Sequence, residues 1–248
     1  MDSLIAKYLR ASIDEGRETE RIGPILASFS RSSRNPFLNY AIPDDGAEPS
    51  AADVAGLIDA YERRNLQPRL EYLTSCAPRV EEALLTAGFA IEGRLALMLA
   101  DERAIDAMPP PGIELLAPTS DVELRGIRLV QKEAYGDPDP VDDAAISRLR
   151  SNLGRGAGAV LARCVEDGEA AGAGEYTLPI DCVCEVTSIA VRVAYRRRGI
   201  AAAMTSWLLR EARAAGVTTT FLMANEAEER IYARIGFTTS SPVLHISR

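Results

Sequence analysis

One histidine and four scattered cysteines in 248 residues remove several chemistries at the outset. Cys76, Cys164, Cys182 and Cys184 do not form the regular pattern of a disulfide framework. Zinc would need Cys-x-x-Cys or histidines at ligand spacing, and the only histidine is His245, so no metal is expected. With no histidine beside any Ser or Cys in the sequence, an acyl-enzyme nucleophile with its own base is not indicated either. No apolar run approaches the ~18 residues that span a bilayer, and Met1-Asp2-Ser3 lacks the start of a signal peptide. A cytoplasmic location without membrane association is the resulting expectation. A basic excess is missing too: the net charge is −8, which argues against a nucleic-acid partner. Absence of Gly-x-x-x-x-Gly-Lys-Ser/Thr and of a dinucleotide glycine triplet disfavours a nucleotide-binding regulator.

What the chain does have is apolar content, 47% of its residues, and a length that permits one large domain or two compact ones. Consecutive prolines at Met108-Pro109-Pro110-Pro111-Gly112 exclude helix and mark a linker, dividing the chain into residues 1–110 and 111–248. The first part carries 12 basic against 18 acidic residues and the second 16 against 18. Within the second part, Arg192, Arg196, Arg197 and Arg198 fall in one stretch without an acid.

Downstream of the linker, Ile113–Leu116 reads as a strand, and Thr119 or Ser120 with Asp121 and Glu123 as a helix start. Apolar residues from Leu124 to Ala134 recur at roughly helical spacing, and a second helix is predicted over Val141–Asn152. Ala159–Cys164 and Ala170–Leu178 form a hairpin around Asp167-Gly168, followed by a buried strand over Cys184–Val191. A helix over Ile200–Ala215, a strand over Val217–Met223, a helix over Glu226–Ile235 and a strand over Phe237–Ile246 complete an α/β mixed sheet. The upstream part repeats the end of this order, with strands at Phe37–Ile42, Arg69–Thr74 and Phe89–Leu99 and helices at Ala51–Arg63 and Pro78–Ala87. Matched order, together with Gly88-Phe89 paralleling Gly236-Phe237, is read as an internal duplication with a degenerate first copy.

The informative segment joins the buried strand to a helix through Tyr195-Arg196-Arg197-Arg198-Gly199-Ile200-Ala201. At a helix start the first N–H groups lack intrahelical partners and the aligned dipoles place positive charge there, so an anion is the natural occupant. Gly199 removes a side chain where a diphosphate could approach, and Ala201 keeps the next position small. The alternative is a tight turn relieved by Gly199 with arginines on a solvated face.

Arg196-x-x-Gly199-x-Ala201 resembles the acyl-CoA pyrophosphate motif of the GNAT (GCN5-related N-acetyltransferase) superfamily, Gln/Arg-x-x-Gly-x-Gly/Ala. Ile189-Ala190-Val191 resembles that family's splayed strand, and Asn225 with Tyr232–Phe237 its second conserved block. The resemblance implies the GNAT fold over residues 112–248, with a tandem arrangement similar to mycothiol synthase. It implies acetyl-CoA as co-substrate, held by Ile189, Ala190, Val191, Arg196, Arg197, Arg198, Gly199, Ile200, Ala201, Asn225 and Tyr232, and direct attack by an amine. The Val191 N–H would polarise the thioester carbonyl. Tyr232 is the candidate acid, its alternative being a core aromatic; Glu185 is the candidate base, its alternative an ordinary strand carboxylate. Asp181 and Glu175 are weaker candidates for that base.

In the first copy, Pro43-Asp44-Asp45-Gly46-Ala47-Glu48 places acids where the second has arginines, and Leu84 or Leu85 falls near the position of Tyr232. Those carboxylates would repel a diphosphate, so only the second copy is expected to bind CoA. The expected activity is N-acetylation of a primary amine on a small molecule or peptide. A non-catalytic acyl-CoA sensor or scaffold of the same fold is the alternative. Asp137, Asp139, Asp142 and Asp143 either attract a cationic amine or form a solvated loop. Neither the acceptor nor the oligomeric state, a homodimer included, is specified by any motif.

Overall fold

The computed structural model describes residues 1–14, 17–31, 33–101, 106–136 and 140–248. By contacts the chain divides into two units: Met1–Leu97 with Met223–Glu226 and Thr239–Arg248, and Met98–Leu222 with Ala227–Thr238.

The first unit opens with α1 (Asp2–Asp14), whose Ile5, Tyr8, Leu9 and Ile13 recur at helical spacing and are buried. A hairpin follows, β1 (Glu18–Ile22) and β2 (Ile25–Phe29), turning at Gly23-Pro24 with Ile22 opposite Ile25. Next come β3 (Ala41–Pro43), α2 (Ala51–Glu62), β4 (Arg69–Leu73), α3 (Val80–Thr86) and β5 (Ala90–Ala100). The strand predicted over Phe37–Ile42 is shorter than expected. Pro36–Leu38 form a turn of 3-10 helix instead, because Pro36 has no N–H to give a ladder and Asn35 accepts from the Phe37 N–H at 3.0 Å. Strand order in this unit is β1-β2-β3-β4-β11-β5, where β11 is Phe237–Ser247.

The second unit contains β6 (Ile113–Leu116), α4 (Asp121–Tyr135), α5 (Asp143–Gly154), β7 (Gly158–Cys164), β8 (Ala170–Tyr176), β9 (Val183–Val191), α6 (Ile200–Ala214), β10 (Thr219–Ala224) and α7 (Glu226–Ala233). Its order is β10-β9-β8-β7-β6, antiparallel except where β10 runs parallel to β9. Helix α4 starts at a capping box in which Glu123 N–H donates to Ser120 Oγ at 3.3 Å and Glu123 Oε2 accepts from Ser120 N–H at 2.9 Å. Main-chain N–H groups of Thr119 and Ser120 pull the Glu123 carboxyl down to about 2. Leu124, Ile127 and Val130 of α4 join Ile146 and Leu149 of α5 against Leu161, Ala173 and Ala190 on one sheet face. Helix α6 lies over the other face. An added Cβ at Gly172 would come within 3.0 Å of Met204 Cε, and one at Gly174 within 3.2 Å of Leu208 Cδ1, so these glycines let α6 approach closely.

Candidate functional site

The site is built on an interruption in β9. Thr187 faces Glu175 and Ala190 faces Ala173, so β9 spends one more residue than β8 over this stretch. The extra residue makes a β-bulge, and Ser188 takes it up in the left-handed region at φ 56. Thr177 N–H donates to Glu185 O at 2.9 Å below the bulge, and Arg192 N–H donates to Ala171 O at 3.0 Å above it. Hydrogen-bonding direction alternates along an antiparallel pair. Above the bulge, Ala190 therefore turns its N–H and C=O toward β8, while Ile189 and Val191 turn theirs away. Without the extra residue the assignment would be the opposite.

The side to which Ile189 and Val191 turn is the side of β10. There β9 and β10 pair from Thr219↔Val183 to Phe221↔Glu185, and among the described residues the pairing stops at that point. The last stretch of β9 is thus splayed. Its Val191 carbonyl is taken by Arg196 Nε at 3.0 Å, and Tyr135 Oη reaches the Ile189 carbonyl at 3.5 Å. The N–H groups of Ile189 and Val191 are left facing the splay.

The chain then passes through Arg197 at φ 63 and Gly199 at φ 84 into α6. Gly199 is the N-cap, and no side chain caps the helix. The left-handed backbone there favours glycine, and a Cβ would meet nothing within 4 Å, so the corner opens outward. Arg196, Arg197 and Arg198 are exposed around it; Arg198 donates to Pro111 O at 3.3 Å and lies 5.8 Å from the Tyr195 ring centroid. Ile200 is buried beneath, anchoring the first turn. Arg192 does not join this group, because Glu133 at 2.9 Å and Glu169 at 3.0 Å neutralise it.

Tyr232 of α7 is 8% exposed and meets Phe237 edge-on at 6.0 Å. Burial first, then the negative charge of Glu228, pushes its hydroxyl well above the ordinary tyrosine range, so it keeps its proton at neutral pH. Tyr135 interacts electrostatically with Tyr232 and is itself pushed up to about 12, by desolvation and then by Glu228 and Glu175. Of the two tyrosines, Tyr135 is the one that reaches the Ile189 carbonyl. Asn225 precedes α7 within the Met223–Glu226 segment that groups with the first unit.

Glu185 is half-buried, with its main-chain N–H bonded to Thr177 Oγ1 at 2.8 Å. By register it shares the α4 face with Glu175 and Thr187, whereas the bulge sends Ile189 to the α6 face. Four residues on a strand would ordinarily keep the two on one face. Glu175 is already engaged by Arg128 at 2.7 Å and Gln131 at 2.7 Å. Asp181, at φ 49, belongs to the β8–β9 turn closed by the Ile180–Val183 bridge. The Cys184 thiol is fully buried and pushed up to about 12 by desolvation, which keeps it from acting as a thiolate nucleophile. Among the described residues, no group of three or more His, Cys, Asp and Glu could hold a metal ion, and no helix is long and apolar enough to cross a membrane.

Of the acidic loop, Asp137 and Asp139 lie outside the described residues. Asp142 caps α5 through the Ala145 N–H at 2.7 Å, and Asp143 pairs with Arg125 at 2.6 Å, so both have structural duties. Sequence reasoning missed the reach of Tyr135 to Ile189 and the role of Gln131. The available signal was Gln131 itself, a polar residue on the apolar stripe of Leu124, Ile127 and Ala134.

The second unit thus sets a splayed strand beside an uncapped, glycine-led helix start. Residues 124–237 match the model of the Acetyltransferase (GNAT) family. A GCN5-related N-acetyltransferase from Kribbella flavida superposes with a TM-score of 0.82 at 20% identity, over 100% of this chain and 95% of that one. A second, from Sphaerobacter thermophilus, gives 0.67 at 17% identity over 90% and 76%. A tandem GNAT protein from the clavulanic acid biosynthesis pathway gives 0.65 at 13% identity over 90% and 78%. At these identities the likeness is one of fold. None of the curated proteins matches the sequence.

Proposed function

We propose that the chain is an acetyl-CoA-dependent N-acetyltransferase that acylates a primary amine of a small molecule or peptide by direct attack. The observation that carries this reading is the uncapped start of α6, with Gly199 left-handed and three exposed arginines around it, next to the splayed end of β9. N–H groups at a helix start and guanidinium groups suit a diphosphate. The N–H groups of Ile189 and Val191 suit the amides of a pantetheine arm. These residues fit acyl-CoA, which supplies an activated acyl group as a thioester.

Each remaining task has a residue in this chain. The Val191 N–H serves as the donor to the carbonyl oxygen, a role that needs a fixed dipole and no proton transfer. Tyr232, kept protonated, gives its phenolic proton to the departing sulfur as the carbon–sulfur bond breaks. Glu185 takes the amine proton through a water as the carbon–nitrogen bond forms. Burial of Cys184 favours this direct route over transfer through an acyl-enzyme. Retention of Tyr232 favours a catalyst over a non-catalytic acyl-CoA sensor of the same fold.

Calorimetric titration with acetyl-CoA, CoA and ATP tests the reading. Binding of both CoA species with weak or absent ATP binding is expected. Tight ATP binding with no response to CoA would remove it.

A further inference from the structure

The bulge in β9 decides which amides face the splay, so whatever fixes the bulge fixes the cofactor strand. One side chain reaches it, braced by two others. Gln131, 5% exposed on α4, donates from Nε2 to Ser188 O at 3.3 Å and to Glu175 Oε1 at 2.7 Å. Its Oε1 accepts from Arg128 at 2.8 Å, and Arg128 also pairs with Glu175 at 2.7 Å. Both Nε2 protons and the amide oxygen of Gln131 are used, and its partners Arg128 and Glu175 hold each other. A saturated buried amide of this kind has a single low-energy placement. The bulge it holds contains a left-handed serine, a conformation that costs on the order of 1 kcal/mol and needs surrounding contacts to persist.

We infer that Gln131, braced by Glu175 and Arg128, is a positioning residue for acyl-CoA: it pins the Ser188 carbonyl and so holds the N–H groups of Ile189 and Val191 toward the pantetheine arm. The inference rests on the function proposed above. Loss of the Gln131 donor leaves the Ser188 carbonyl unsatisfied and lets β9 relax toward regular pairing, which would carry Ala190 into the splay in place of its neighbours. The diphosphate grip at α6 does not depend on Gln131. A ligand that has the diphosphate without the arm should therefore be indifferent to it.

The test is calorimetry with two probes, CoA and ADP, on the full chain, the wild type against Gln131→Leu. The expected result is a fall of about tenfold in CoA affinity with ADP affinity within about twofold of the wild type. An unchanged ratio of CoA to ADP affinity overturns the inference, and so does an equal fall in both, which is the mark of a purely structural role. Should Gln131→Leu fail to fold, Glu175→Gln takes its place: a lowered ratio of CoA to ADP affinity supports the inference and an unchanged ratio overturns it. A wild-type protein that does not bind CoA removes the functional reading and this inference together, a result distinct from wild-type binding that Gln131→Leu leaves intact.

Discussion

The two units begin comparable helices in opposite ways. In the first, α2 follows a short strand and a turn through Gly46 at φ 71, as α6 follows β9 and Gly199. There Ser50 and Asp53 form a complete capping box, with Asp53 N–H donating to Ser50 Oγ at 3.2 Å and Ser50 N–H to Asp53 at 2.8 Å. The acids of that turn are occupied as well: Asp44 by Arg21 at 2.6 Å and Asp45 by Arg10 at 2.8 Å. Sequence alone points to repulsion of a phosphate by free carboxylates; in the structure those carboxylates are paired and the helix start is capped from within the chain. At α6 no side chain caps the same groups, which the proposed function gives to the diphosphate.

Erasing what sets the second unit apart should have the largest effects. Tyr232→Phe gives it an apolar side chain there, as Leu84 and Leu85 do in the first, and should lower kcat about a hundredfold with acetyl-CoA affinity unchanged. Equal turnover in steady-state assays would reject the acid role. Because burial raises the Tyr232 pKa, its neutral form persists above pH 10, and no alkaline loss of rate below that pH should trace to this residue. Arg197→Glu with Arg198→Glu puts acids where the first unit has them and should weaken acetyl-CoA binding about thirtyfold by calorimetry, less so at high salt.

Gly174→Ala sharpens the contrast from inside. A Cβ there would stand 2.4 Å from Ile189 Cδ1, so denaturant unfolding should show a loss of about 2 kcal/mol, accompanied by weaker acetyl-CoA binding. Ser50→Ala should cost about 1 kcal/mol of stability and leave acetyl-CoA affinity untouched. The smallest effect concerns His245, whose Nδ1 contacts Arg69 at 3.1 Å and whose pKa burial lowers. The folded state then holds fewer protons than the unfolded one just below the unfolded pKa of about 6.5. Its contribution is complete above that pH and is lost as pH falls toward the lowered value, a dependence that His245→Gln should abolish in urea titrations.

Much of the second unit is legible because its signals are local. Ser120 with Glu123, the apolar spacing of Leu124, Ile127 and Val130, and Gly199 before an alanine-rich helix each lie within a few residues of one another. In the first unit, sequence reasoning missed α1 and the β1–β2 hairpin, although Ile5, Tyr8, Leu9 and Ile13 repeat at helical spacing and Gly23-Pro24 marks the turn. The bulge at Ser188 is not legible, since nothing in Thr187-Ser188-Ile189 announces an extra residue. The groups that meet it, Gly174 of β8 and Gln131 of α4, are about 14 to 57 positions away. That Glu185 and Ile189 lie on opposite faces follows from that bulge and cannot be read without it.

The most direct test is a titration of 15N-labelled protein with acetyl-CoA, following the amide signals of both helix starts. The account predicts large, saturating shifts at Gly199, Ile200 and Ala201 and none at Ala51, Ala52 and Asp53. Shifts confined to α2, or a silent α6 under saturating ligand, would contradict it.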